Sequence, residues 1–239
     1  MQSSRAIPIV ALDVPDATRA RQLVDTLGDD CTFYKVGLEL FAAEGPSIVR
    51  WLRDRGKDVF VDLKLHDIPN TVQSAARAVA SLGAALLTVH ASGGVEMIAA
   101  AVEGFAEGKG SDAGGILAVT VLTSHSAASQ ARAWGRELID VDSEVVRLAG
   151  EARAAEARGI VCSGHEARAV RKAHGDALRL LIPGIRFADG ELHDQQRIMT
   201  PSSAQTAGAD WIILGRAVTG STDPREAMHR VHMELSREP

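Results

Sequence analysis

The 239-residue sequence has only two cysteines, Cys31 and Cys162. Two thiols cannot make a disulfide framework or a four-thiolate zinc site. They are expected to pack as small apolar side chains, and their scarcity points to a reducing, cytoplasmic setting. Long hydrophobic runs are also missing. No stretch reaches the ~20 apolar residues that span a bilayer, so no membrane partner is expected. The opening MQSSRAIPIVALDVPD holds a short apolar segment, Ala6 to Leu12, that stops at Asp13 with no small-residue cleavage site, which argues against a secretory signal. There is no basic excess: 26 Lys and Arg face 31 Asp and Glu, a formal charge of −5. A nucleic-acid partner is therefore not expected, because such a chain has no net positive charge to set against phosphates. No GxGxxG follows the first apolar run, which weakens the dinucleotide-binding form of an open α/β sheet. There is no linker rich in Pro or Ser and no low-complexity segment.

What is present has the balance of a globular protein, with 46% hydrophobic and 24% charged residues. Short apolar runs predict strands at residues 7–12, 32–36, 59–63, 86–90, 116–121, 159–162, 178–182 and 211–214. Most are continuous rather than alternating, as in parallel strands covered on both faces. Amphipathic patterns between them predict helices at 16–27, 46–55, 70–82, 95–107, 143–158, 166–173, 202–207 and 224–235, with Ser143 as the cap of the fifth. The stretch 124–142 is the one long irregular segment and a candidate loop over a site. Strands alternating with helices over this length point to an α/β fold, a (β/α)8 TIM barrel occupying residues 1–239 as a single domain.

In such a barrel, function lies at the C-terminal strand ends. Those ends carry Asp13, Lys35, the run Asp62-Leu63-Lys64-Leu65-His66-Asp67, then His90, Thr120 with Thr123 and Ser124, Pro183-Gly184-Ile185-Arg186, and Gly215-Arg216. Strand residues two apart share a face, so Asp62 and Lys64 can both enter the mouth. Acid and base alternate through Asp13, Lys35, Asp62, Lys64 and Asp67, a pattern able to keep a poorly hydrated lysine charged. A single Asp–Lys pair could be no more than a satisfied ion pair. Five ionisable groups on three neighbouring strand ends favour function, because burying them unpaired costs several kcal/mol. Asp62, His66, Asp67 and His90 offer metal-ligand types, but the Lys64 cation would repel a metal. His66 and His90 read more simply as packed or hydrogen-bonded histidines. The last two loops hold Gly184, Arg186, Gln195, Gly215 and Arg216, where barrels often bind phosphate. There glycine lets backbone amides approach an oxyanion, and arginine supplies a fixed fork of donors.

VFVDLKLHDIPNTV at 59–72 resembles the D-x-K-x-x-D-[IV]-P-x-T core of the orotidine 5′-phosphate decarboxylase family through Asp62, Lys64, Asp67, Pro69 and Thr71. IVALD at 9–13, FYKVG at 33–37, VTVLTS at 119–124, VCS at 161–163, PGIR at 183–186, DQQRIMTP at 194–201 and ILGRAVT at 213–219 are similar to the bacterial form. The resemblance implies a barrel homodimer, free of cofactor and metal, that converts orotidine 5′-monophosphate to uridine 5′-monophosphate (UMP) and CO2 in the last step of UMP synthesis. By position, Lys64 would protonate C6 of the pyrimidine and Asp62 would adjoin the leaving carboxylate. Asp13 and Lys35 would hold the ribose hydroxyls, with Lys35 part of the catalytic charge network. Asp67 and Thr71 would reach into the partner subunit's site. Thr123 and Ser124 would contact the pyrimidine, and Pro183 belongs to the substrate-binding PGIR segment. Arg186, Gln195, Gly215 and Arg216 would bind phosphate, Gln195 from a loop that closes over it. Magnesium-dependent phosphosugar barrel enzymes share the fold and part of the D-x-K motif. A phosphate-ligand binding protein without catalysis is a third possibility, against which the intact Lys64 speaks.

Overall fold

The computed structural model describes residues 5–109, 114–188 and 199–236. Eight parallel strands pair in chain order, and the last closes on the first. They are β1 (Ile7–Ala11), β2 (Phe33–Gly37), β3 (Asp58–Leu65), β4 (Leu86–His90), β5 (Gly115–Val119), β6 (Gly159–Val161), β7 (Arg179–Ile182) and β8 (Trp211–Leu214). The helices between and after them are α1 (Ala17–Leu27), α2 (Leu38–Glu44), α3 (Pro46–Asp54), α4 (Pro69–Ala80), α5 (Gly94–Lys109), α6 (Ala127–Ala133), α7 (Val141–Ala154), α8 (Gly164–His174), α9 (Pro201–Thr206), α10 (Arg216–Thr219) and α11 (Pro224–Ser236). None of the described helices is long and apolar enough to cross a membrane.

Strand alternation sorts the apolar residues into two bodies. Ile9, Ala11, Phe33, Phe60, Leu86, Leu117, Leu181, Trp211 and Ile213 pack together inside the cylinder. Their outward neighbours, such as Val10, Tyr34, Val61, Leu87, Ala118 and Ile212, join helix residues including Val24, Leu52, Val72 and Leu148 in the larger core. Both faces of each strand are thus covered, which explains the continuous apolar runs. Cys31 and Cys162 are buried and unpaired, and burial pushes the Cys162 thiol up to about 12. The inward parity also positions the polar residues. Two places beyond Ala11, Phe33, Phe60, Leu86, Leu181 and Ile213 stand Asp13, Lys35, Asp62, Thr88, Pro183 and Gly215. The apolar filling therefore ends in a polar layer at the C-terminal mouth.

Three expectations need correction. The stretch 124–142 is not irregular throughout: α6 forms within it, capped by the Ser126 hydroxyl, which accepts from the Ser129 amide. Ser143 is not the cap of α7. That helix begins two residues earlier, after Asp140, because Val141 packs on the main core and draws the first turn inward. It ends at Ala154 rather than at 158, where Glu156 adopts φ 56 and turns the chain out. Two further helices, α2 and α10, carry no strong periodic signal because each is so short.

Candidate active site

A cavity of about 530 Å³ opens at the C-terminal mouth. Ala11, Phe60, Leu181 and Ile213 form its apolar floor. Asp13, Lys35, Asp62 and Lys64 line one side, from β1, β2 and β3 or the turns that follow them. Thr123, Pro183, Gly184, Arg186, Gly215 and Arg216 line the other, from the segments after β5, β7 and β8.

The charged side is a chain of contacts. Lys35 Nζ donates to Asp13 Oδ1 at 2.7 Å and stands 3.6 Å from Asp62 Oδ2. Lys64 Nζ donates to Asp62 Oδ1 at 2.8 Å. Asp62 thus sits between two ammonium groups, with its side chain only 13% exposed. Burial alone pushes its carboxyl up. The Lys35 and Lys64 charges, with hydrogen bonds from Lys64 and Thr88, outweigh burial and hold it below the ordinary carboxylate value. Gly37 makes room for this chain, since a β-carbon there would lie 2.9 Å from Lys35 Nζ.

Lys64 reaches this place through an irregular backbone. It has φ 51, a left-handed conformation uncommon for a residue with a β-carbon. The β3–β4 pairing slips there, from Val61 opposite Leu87 to Leu65 opposite Val89. A bulge of this kind re-aims side chains next to a site. Thr88, which sequence reasoning missed, meets both residues of the D-x-K element. Its Oγ1 accepts from the Lys64 amide at 2.9 Å and donates to Asp62 Oδ1 at 2.9 Å. Its only sequence signal was its inward parity with Leu86.

Across the cavity, Arg186 is 7% exposed. Its Nη1 donates to the Ile185 carbonyl at 2.8 Å, while its Nε finds no hydrogen-bond partner among the described residues. Burial, reinforced by the Arg216 charge, pulls its pKa down. Two guanidinium groups at one end of a cavity, one of them desolvated, make an anion-accepting corner. Gly184 has φ 78, which a residue with a β-carbon adopts only with strain, and it lets the chain turn into that corner.

Other sequence candidates lie elsewhere. Ser124 is exposed and does not line the cavity, whereas Thr123 does. Asp67 and Thr71 are exposed beyond the end of β3 and also stand outside the cavity. Asp67 Oδ1 accepts from the Ile68 amide at 2.7 Å. Gln195 falls outside the described residues. His66 is exposed rather than packed away, and His90 is half-buried rather than buried. Their rings lie 5.7 Å apart. Burial first, then the His66 and Lys64 charges, lower the His90 pKa against the opposing pull of Asp62. Among the described residues, no group of three or more His, Cys, Asp or Glu is placed to hold a metal ion.

A closed (β/α)8 barrel with an acid–base chain and an arginine pair facing each other across its C-terminal mouth is the site of a barrel enzyme that handles an anionic substrate. The model of the orotidine 5′-phosphate decarboxylase / HUMPS family matches residues 7–231. An orotidine 5′-phosphate decarboxylase of Enterococcus faecalis is 42% identical over 234 residues, 96% of this chain and 98% of that protein. One from Anaeromyxobacter dehalogenans is 47% identical over 225 residues, 92% and 94% of the two chains. The crystal structure of orotidine 5′-phosphate decarboxylase from Lactobacillus acidophilus superposes with a TM-score of 0.87 at 35% identity, covering 98% of this chain and all of that one. The chain belongs to the orotidine 5′-phosphate decarboxylase / HUMPS family.

Proposed function

We propose that the protein decarboxylates orotidine 5′-monophosphate to UMP and CO2, the last step of UMP synthesis, with Lys64 as the proton donor. The observation that carries this reading is the Asp13–Lys35–Asp62–Lys64 chain at the barrel mouth, in which Lys64 Nζ lies 2.8 Å from Asp62 Oδ1. Loss of CO2 breaks the bond between C6 and the carboxyl carbon and leaves the electron pair on C6, in the plane of the ring. The Lys64 ammonium stabilises that charge as it forms, then transfers a proton to C6 and becomes an amine, to be recharged from water. Asp62 keeps this ammonium charged and faces the substrate carboxylate, which raises the energy of the bound ground state. Asp13 and Lys35 hold the ribose hydroxyls. Thr123 meets the pyrimidine, and Pro183 shapes the same wall.

Arg186, Gly215 and Arg216, with Gln195, receive the phosphate, consistent with the buried guanidinium whose Nε has no hydrogen-bond partner among the described residues. Binding energy from that remote group supports closure around the reacting carbon. Asp67 and Thr71, outside their own cavity, reach the site of a second copy, so the working unit is a homodimer with shared sites. We take the chain as one barrel domain working in the cytoplasm.

The test is to add orotidine 5′-monophosphate to the purified protein and follow the ultraviolet change on decarboxylation. Turnover unaffected by EDTA is the expected result. No turnover by folded protein ends this reading. Loss of activity on chelation would move the chain toward the magnesium-dependent phosphosugar enzymes.

A further inference from the structure

We infer that Thr88 is a positioning residue for this reaction: its hydroxyl fastens the β3 bulge that carries Asp62 and Lys64, orienting the carboxylate and the lysine backbone together. The inference rests on the roles proposed above for those two residues. Between Val61↔Leu87 and Leu65↔Val89, the three residues Asp62, Leu63 and Lys64 stand opposite Thr88 alone. The regular ladder cannot serve three residues from one partner, so a side chain takes over. The Lys64 amide donates to Thr88 Oγ1, and the hydroxyl hydrogen goes to Asp62 Oδ1, each at 2.9 Å.

The polarity of this relay is fixed at both ends. An amide can only donate, and a carboxylate accepts, so the hydroxyl has one arrangement that satisfies both. Thr88 is 0% exposed, which leaves no water to replace it. Its β-branch restricts χ1, so the hydroxyl is held where both partners meet it. The same Asp62 oxygen also accepts from Lys64 Nζ at 2.8 Å. Moving the carboxylate therefore moves the ammonium, and relaxing Lys64 from φ 51 redirects its side chain as well. Among the described residues, no other β4 side chain hydrogen-bonds both Asp62 and Lys64.

The experiment compares Thr88→Val and Thr88→Ser with the wild type for kcat and KM on orotidine 5′-monophosphate, UMP affinity and thermal midpoint. Valine keeps the shape and removes the hydroxyl, whereas serine keeps the hydroxyl. Thr88→Val should lose about 10²-fold in kcat, the scale of a ~1 Å misplacement, with UMP affinity near wild type. Thr88→Ser should recover most of that loss. Should the valine variant fail to fold, Thr88→Ala is read in the same way. Wild-type kcat in a folded variant without the hydroxyl overturns the inference. So does a Thr88→Ser variant as slow as Thr88→Val, because packing rather than hydrogen bonding would then be the cause. Lys64→Ala runs alongside. If it keeps turnover, the Lys64 assignment fails and takes the inference with it. If it is inactive while Thr88→Val runs at full rate, the inference fails by itself.

Discussion

Lys64 Nζ and Asp62 Oδ1 lie 2.8 Å apart, held there by a backbone that leaves the regular strand at the lysine. The contact is half-dry: the lysine side chain is 30% exposed and the aspartate 13%. A pair at this depth needs its remaining charge accounted for. Lys35, 3.6 Å from the other carboxylate oxygen, supplies the second positive neighbour. Asp13, 2.7 Å from Lys35 on its far side, completes the balance, so two carboxylates and two ammonium groups compensate one another along the cavity wall.

Asp62→Asn tests that arrangement through pH. In the folded state the Asp62 pKa is lowered. Its contribution to stability is therefore full above the ordinary value of 3.8 and is lost as pH falls through the folded value. The thermal midpoint of the wild type should fall more steeply on acidification below about pH 4 than that of Asp62→Asn. Parallel curves would mean the carboxylate has no net favourable interaction. At neutral pH the variant should lose about 10²-fold or more in kcat, the scale of a lost transition-state hydrogen bond.

Arg216→Ala should act on binding. Removing a charged donor to phosphate costs about 1.5–3 kcal/mol, so KM should rise roughly 10- to 100-fold while kcat falls less. Inorganic phosphate offers a check without turnover. It should raise the thermal midpoint of the wild type and have a smaller effect on the variant. An unchanged KM contradicts the phosphate corner.

Asp67 is exposed and stands outside its own cavity, next to Ile68, which is 67% exposed. Mixing Lys64→Ala chains with Asp67→Ala chains should restore activity to about a quarter of the wild-type level, because in a mixed twofold dimer one site escapes both changes. Inactive mixtures in which hybrids demonstrably form exclude sharing.

Much of this was legible from residue order. The strand runs closed the barrel, and inward parity placed Asp13, Lys35, Asp62, Pro183 and Gly215 at its mouth, because a pleated strand repeats every two residues. The bulge was hidden. Thr88 reads as an ordinary β-branched strand residue, and nothing in its neighbours announces that it faces three residues of β3. Arg186 was visible as a candidate, but its depth depends on packing across β7 and β8. Ser143 misled because a good capping residue type is not a cap when an apolar residue two places earlier, Val141, starts the helix.

The most direct test of the account is the rate at which folded Lys64→Ala, with a normal circular-dichroism spectrum and thermal midpoint, releases CO2 from orotidine 5′-monophosphate beside the wild type. Removing the proton donor should leave no measurable turnover at saturating substrate. A rate close to wild type would show that another group protonates C6.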